Sequence, residues 1–408
     1  MLSGDDDDDE KLSQIGDRLN AESDRIGFLR MTNRSHTWNS SCYSLGSLVS
    51  LNDITMTPSR HRLSVRSTSS SRTLTDDAKS PLTALYDLLV GPMEDVLPPV
   101  ASGSMELILV LQGDLYLVPF ALLRPTQASQ YLFERYSLLI APSVRAVQAN
   151  QAISETYNPN CTGALVVGNP KIPPSVTSSW QWRPLPTTEY ECRLVGEMLG
   201  CRCLTGSGAA KDAVLKSLSK AEVIHFSTNV SWKLSAIVLS PSSNEADAPL
   251  TNFLLTAADI LNTSISARLV VLNSAHMNER TGRMSTDGLI GLTRSFLAAG
   301  AQCVLVPLWP VSEPASRLLF KSFYTALLQG TRASHALAMA MHAVRSVREL
   351  SHASNWAGWM LVGSDVRVCS QVALMSHGLK SLLVTPIKSR EAMRVVLHLV
   401  SVSFYLIH

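Results

Sequence analysis

From Ser80 onward the sequence alternates short, dominantly apolar runs with longer stretches of helical periodicity, and nothing else in the chain restricts its fold as strongly. The apolar runs are Met105–Leu111, Leu115–Val118, Leu138–Ala141, Ala164–Val167, Val223–Phe226, Ile237–Leu239, Leu269–Leu272 and Val304–Val306. Between them, Ser143–Ala152, Thr188–Leu199, Ala209–Ser217, Leu289–Ala299, Glu313–Leu328 and Ala333–Val347 repeat apolar residues at helical spacing. A strand without polar alternation is buried on both faces. Such strands separated by helices predict an α/β domain built on a mostly parallel sheet with helices on both faces.

Local signals agree with that pattern. Ser80 followed by Pro81 is a helix start, and Leu82, Leu85, Leu88 and Leu89 follow on one face before Pro98-Pro99 stops the run. Thr188-Glu-Tyr-Glu191 has the spacing of a capping box. Leu327-Leu328-Gln-Gly330 predicts a helix that ends on a left-handed glycine.

The chain ends differ from this body. The first 75 residues hold 22 serines or threonines and 19 charged residues. Residues 1–24 carry nine acids and two bases, whereas 25–75 carry seven arginines and one acid, Asp53. A segment of that composition buries too little apolar surface to order itself, so 1–78 reads as a disordered N-terminal arm. Arginines and hydroxyls interleave between Arg60 and Arg72, which suits phosphorylation by basophilic kinases. The domain is expected over 79–368. Residues 369–408 read as a helical tail whose closing apolar run, Val395–Ile407, is too short to span hydrocarbon as a helix; a packed or interfacial helix, or an end cut or altered within a longer protein, are the readings, and the second is favoured.

Several functions are excluded by composition. A net charge of +2 offers no basic field for a nucleic-acid backbone. The acidic start, Asp5 to Glu10, is the opposite of a signal peptide, and no stretch has the roughly 18 uninterrupted apolar residues of a membrane span. The chain therefore reads as cytosolic or nuclear, without a membrane span. Seven cysteines form an odd set with no C-x-x-C pair, so neither a disulfide framework nor a metal site is expected. Gly206 and Gly208 lack the downstream pattern of a phosphate loop, which leaves nucleotide binding supported by the sheet alone.

In a parallel sheet, chemistry gathers at the carboxyl ends of strands. Two runs stop abruptly in small polar residues beside a histidine: Val223-Ile-His-Phe-Ser-Thr-Asn-Val230 and Leu269-Val-Val-Leu-Asn-Ser-Ala-His-Met277. With these and with Leu115–Leu123, Tyr131–Tyr136, Leu185–Glu189, Gly288–Gly300, Pro307–Val311 and Trp356-Ala357, the sequence resembles the CHAT domain, a caspase-like cysteine peptidase module found with tetratricopeptide repeats. The resemblance implies a caspase-like sheet, repeats upstream in the full-length protein, a protein or peptide partner, no cofactor, and a cytoplasmic, cytoskeleton-associated location.

It also implies a Cys-His dyad, with the base in H-F-A-T-H-G and the nucleophile in L-S-A-C. A thiol needs a base within hydrogen-bond reach, and the oxyanion needs backbone donors. On those motifs this chain places Asn229 where the base should stand, Val230 in place of the glycine, and Ala275 in place of the nucleophile. Asparagine has no basic nitrogen near neutral pH and alanine has no nucleophile. The expected function is a pseudo-peptidase that acts as an interaction or regulatory module; the alternative is an active peptidase with a displaced dyad, Cys303 with His225 or His276. His225 and His276, with Arg280, Arg283 and Asp287 of the following loop, are candidates to line a remaining cleft. The plainer readings are a satisfied core histidine for His225 and a solvated loop for the others. Ser274, two residues before His276, is a poor nucleophile because same-strand neighbours rarely form a serine-base pair.

Overall fold

The computed structural model describes residues 80–97, 105–125, 130–147, 163–174, 177, 182–232, 234–242, 249–274, 286–368 and 394–398. The arm 1–78 and most of the tail lie outside them. The strands are β1 (Glu106–Val110), β2 (Ser137–Ala141), β3 (Ala164–Pro170), β4 (Leu204–Gly206), β5 (Val223–Thr228), β6 (Val230–Ser231), β7 (Ala236–Val238), β8 (Leu254–Thr256), β9 (Leu269–Ser274), β10 (Cys303–Pro307), β11 (Trp359–Gly363) and β12 (Arg394–His398). Nine of them form one sheet in the order β12-β1-β2-β11-β10-β9-β5-β3-β4, and β6-β7-β8 form a small antiparallel one. In the large sheet every neighbouring pair is parallel except β10 with β11.

The helices are α1 (Pro81–Leu89), α2 (Leu132–Arg135), α3 (Pro186–Leu199), α4 (Lys211–Leu218), α5 (Ala257–Leu261), α6 (Thr286–Ala298), α7 (Glu313–Leu328) and α8 (Ala333–Ser346). Alternate strand residues sort to opposite sides of the sheet, as a period of two requires. Leu107, Leu109, Ile224, Phe226, Val270 and Leu272 pack with Tyr86 of α1, Val214 of α4, Ile260 of α5 and Phe296 of α6. Ile108, Val110, Val166, Val271 and Leu305 pack with Val195 of α3, Phe320 and Phe323 of α7 and Leu337 of α8. Each face thus carries its own layer of helices. Truncating a core aromatic such as Phe226 or Phe320 to alanine would cost about 3–5 kcal/mol.

Local departures have local causes. Leu115–Val118, expected as a strand, belongs to a 3₁₀ helix over Gly113–Leu117, entered through Gly113 at φ 55°. Helix α3 begins at Pro186 with Leu185 as its N-cap, ahead of the expected capping residue. Proline presets the first helical φ and its missing N–H costs nothing there. Thr188 is instead buried, its hydroxyl donating to the Leu185 carbonyl at 2.8 Å. The start of α1 is as expected, with Ser80 Oγ accepting from the Thr83 amide, and Gly330 beyond α7 sits at φ 86°. Of the predicted helix Ser143–Ala152, only 143–147 lie within the described residues, and 144–147 form a helical turn.

In the tail, Arg394–His398 is a strand that runs parallel to β1 with Glu106 opposite Arg394, where the apolar pattern predicts a helix. Val395 and Val396 are β-branched, and β1 offers them an edge to pair with. Among the described residues no helix is long and apolar enough to cross a membrane.

Candidate functional site

Strands β5 and β9 lie side by side and in register, from Val223 opposite Leu269 to Thr228 opposite Ser274. Asn229 therefore follows the last paired residue of β5, just as position 275 follows the last paired residue of β9. The two motif strands are thus interior neighbours whose carboxyl ends fall on the same rim of the sheet. Ala275, His276, Arg280 and Arg283 lie outside the described residues, and Asp287 is described only as part of the α6 backbone.

His225 points from β5 into the layer of α3 and α7. Its Nε2 lies 3.1 Å from Glu191 Oε1 and its Nδ1 lies 2.9 Å from the Tyr324 hydroxyl. Phe320 meets the imidazole edge to face at 4.8 Å. From β9, the Asn273 amide donates to both oxygens of the same carboxylate, at 2.9 and 3.0 Å. One assignment satisfies both imidazole nitrogens and both carboxylate oxygens: Tyr324 donates to Nδ1, Nε2–H donates to Glu191, and Asn273 completes the carboxylate. A buried carboxylate is tolerated only when its lone pairs are met in this way. His225 is thus a satisfied core histidine, closed off from any substrate.

Glu191 and Tyr324 escaped the sequence reading. Thr188, Glu191, Cys192 and Val195 are all buried, so a carboxylate at helical spacing on the inward stripe of α3 was the available signal. Burial, with Glu191 as the next contributor, pushes the Tyr324 hydroxyl well above its ordinary pKa. Ser227, opposite Asn273 in the register, is buried with a hydroxyl that has no hydrogen-bond partner among the described residues.

Asn229 is 1 % exposed. Its amide donates to the backbone carbonyl of Arg183 at 3.0 Å. Two residues on, the Leu185 amide donates to Asn169 Oδ1 at 2.7 Å, and Asn169 Nδ2 donates to Glu189 at 2.7 Å. Asn169 holds this position with a left-handed backbone, φ 41°. Val230 starts β6 opposite Ile237, so the chain continues as a strand where the family pattern has a glycine.

Among the described residues the cysteine thiols are buried or partly buried. Cys303 begins β10 beside Leu269 and is 0 % exposed, and desolvation pushes its thiol pKa well up. Cys192 is buried with its thiol likewise raised. Cys203 donates to the Cys192 carbonyl at 2.8 Å, and burial pushes Cys201 up to about 11. A thiol held protonated by desolvation is a weak nucleophile at neutral pH. Among the described residues no three His, Cys, Asp or Glu side chains group as metal ligands.

Residues 79–364 match the CHAT domain family. The chain is 43% identical over 436 residues to tetratricopeptide repeat protein 28 of Homo sapiens and 42% identical to that of Mus musculus, covering 97% of this chain and 17% of either relative. It therefore spans less than a fifth of the curated relatives it matches. Among solved structures, the Saccharomyces cerevisiae separase–securin complex is similar at a TM-score of 0.42 and 12% identity, over 64% of this chain and 16% of that one. The Arg-specific cysteine proteinase gingipain R is similar at a TM-score of 0.37 and 8% identity, over 67% of this chain and 80% of that one. By its family match and its 43% identity to a curated relative, the chain belongs to the CHAT domain family.

Proposed function

We propose that this chain is a catalytically degenerate CHAT domain, a pseudo-peptidase that serves as a protein-interaction or regulatory module of a tetratricopeptide-repeat scaffold. The observation that carries the reading is Asn229. At the position of the family's base, a buried amide donates to a backbone carbonyl, and it has no proton-accepting nitrogen. Ala275, at the position of the nucleophile, removes the other half. Nucleophile and base act as a unit, so the loss of both leaves only what binding and backbone donors supply.

The displaced-dyad alternative finds no support in Cys303, which is sealed in the core, or in His225, whose two nitrogens are already engaged. Affinity and chemistry use partly separate groups, so a cleft that no longer cuts still suits a peptide or protein partner. The context of tetratricopeptide repeats comes from the relatives. A cytoplasmic, cytoskeleton-associated location and phosphorylation of the arm between Arg60 and Arg72 complete the proposal.

The test is to incubate the whole chain with a broad peptide library and with an activity probe for thiol peptidases. Neither turnover nor specific labelling is expected. Turnover accompanied by labelling of a cysteine whose substitution abolishes it overturns the reading.

A further inference from the structure

Residues Trp182–Leu185 run across the end of β5 and are held at three points. The indole of Trp182 is buried among Ile172, Leu234, Ala236, Val238, Phe253 and Leu254, a cluster separate from both faces of the large sheet. The Arg183 carbonyl takes the Asn229 amide, and the Leu185 amide is taken by Asn169. An aromatic side chain in an apolar socket, followed by main-chain hydrogen bonds from the next residues, is how an extended peptide is bound.

We infer that Trp182–Leu185 is an internal pseudo-ligand, a strap clasped by Asn229, and that the socket beneath it takes a peptide presenting a bulky aromatic residue once the strap is released. The regulatory meaning rests on the interaction-module reading, but the strap and its clasp are a property of this chain alone. Asn229 is then a working residue. It gives up the base's chemistry and supplies a donor to main chain, a group present in every peptide. Specificity falls to the socket, whose largest occupant is the Trp182 ring. Ile172, Leu234, Val238, Phe253 and Leu254 give it apolar walls, so the favoured partner offers Trp or an apolar residue of similar bulk there.

Hydrogen exchange of the whole chain tests the clasp directly. In Asn229→Ala the strap loses its hydrogen bond at Arg183, and the looser strap should expose the Leu185 amide, held by Asn169, to exchange about fivefold to tenfold faster. Unchanged exchange there overturns the clasp. The socket is tested in Trp182→Ala by adding, at millimolar concentration, a synthetic peptide of residues 180–187, with an analogue lacking the Trp182 side chain as control. Slower exchange across 229–239 with the peptide and not with the analogue is expected, and equal exchange with both overturns the socket. If Trp182→Ala fails to fold, the same peptide is added to Asn229→Ala and read at the same amides. Peptidase turnover would sink the proposed function and leave these readouts unaffected, so the two failures are distinguishable.

Discussion

The Asn273 amide spans both oxygens of the Glu191 carboxylate, at 2.9 and 3.0 Å, and so fixes the tip of β9 to the inward face of α3. His225 joins the same carboxylate from β5, which makes one acidic group common to both strand ends. Glu191→Ala removes the acceptor and leaves two buried donors unmatched. An unfolding free energy lower by about 3–5 kcal/mol is expected from urea denaturation with an unchanged m value. A loss below about 1 kcal/mol would show that the two side chains do not depend on the carboxylate.

Tyr324→Phe is a milder cut in the same cluster. It deletes one hydroxyl and leaves His225 Nδ1 buried without its partner, for a cost of about 1–3 kcal/mol. With Glu191→Ala the two effects should combine less than additively, because both act through His225. Strict additivity in a double-mutant cycle would separate them.

The sheet and the pairing of its two motif strands were legible because they rest on apolar periodicity: β5 and β9 lie where Val223–Phe226 and Leu269–Leu272 predict them. Asn229 stood out because a motif gave its place a meaning. Glu191 and Tyr324 carried no such mark, since a polar residue on a buried helical stripe becomes a partner only once two helices and two strands converge. Contacts to main chain, such as Asn229 with Arg183, leave no trace in the pattern at all, because any residue brings the same carbonyl. The strand at Arg394–His398 was missed for a related reason: its partner β1 is far away in sequence, and a short apolar run alone does not tell strand from helix.

Restoring the family residues should not restore the chemistry. In the double variant Asn229→His with Ala275→Cys, the imidazole enters a site that is 1 % exposed and spanned by the Arg183 carbonyl. No peptide-library turnover above that of the unaltered chain is expected. Clear turnover would mean that the strand end is open enough to work with only two side chains changed.

Thiol labelling should follow burial. Iodoacetamide with peptide mapping should leave Cys192 and Cys303 unmodified in the folded chain near neutral pH. Labelling of Cys201 should rise about tenfold per pH unit up to its pKa of about 11, since only the thiolate reacts. The folded value lies above the ordinary 9.0, so between 9 and 11 the unfolded chain binds fewer protons. Any contribution of this thiol to stability is therefore intact below 9 and falls as pH rises through that window. A Cys201 rate that levels off near 9 would contradict its burial.

Gly168 marks a close approach between β3 and α3. A Cβ there would collide with Cys192 Sγ, and the next nearest atoms, Cys192 Cβ and the Ser227 carbonyl, are at 3.4 Å. Gly168→Ala should cost about 1–3 kcal/mol by overpacking. Adding Cys192→Ala removes the sulfur and should recover most of that loss in thermal denaturation. Without recovery, the obstruction must be backbone.

The single antiparallel contact, β10 against β11, divides the large sheet into two fields of opposite polarity. β3, β4, β5, β9 and β10 point one way, while β1, β2, β11 and β12 point the other. The domain consequently has two rims of carboxyl strand ends on opposite sides, and Asn229 lies at only one of them. The carboxyl ends of β3, β5, β9 and β10 therefore lie at the rim where β1, β2 and β11 begin, so the two fields of strands offer their carboxyl ends to opposite sides of one sheet.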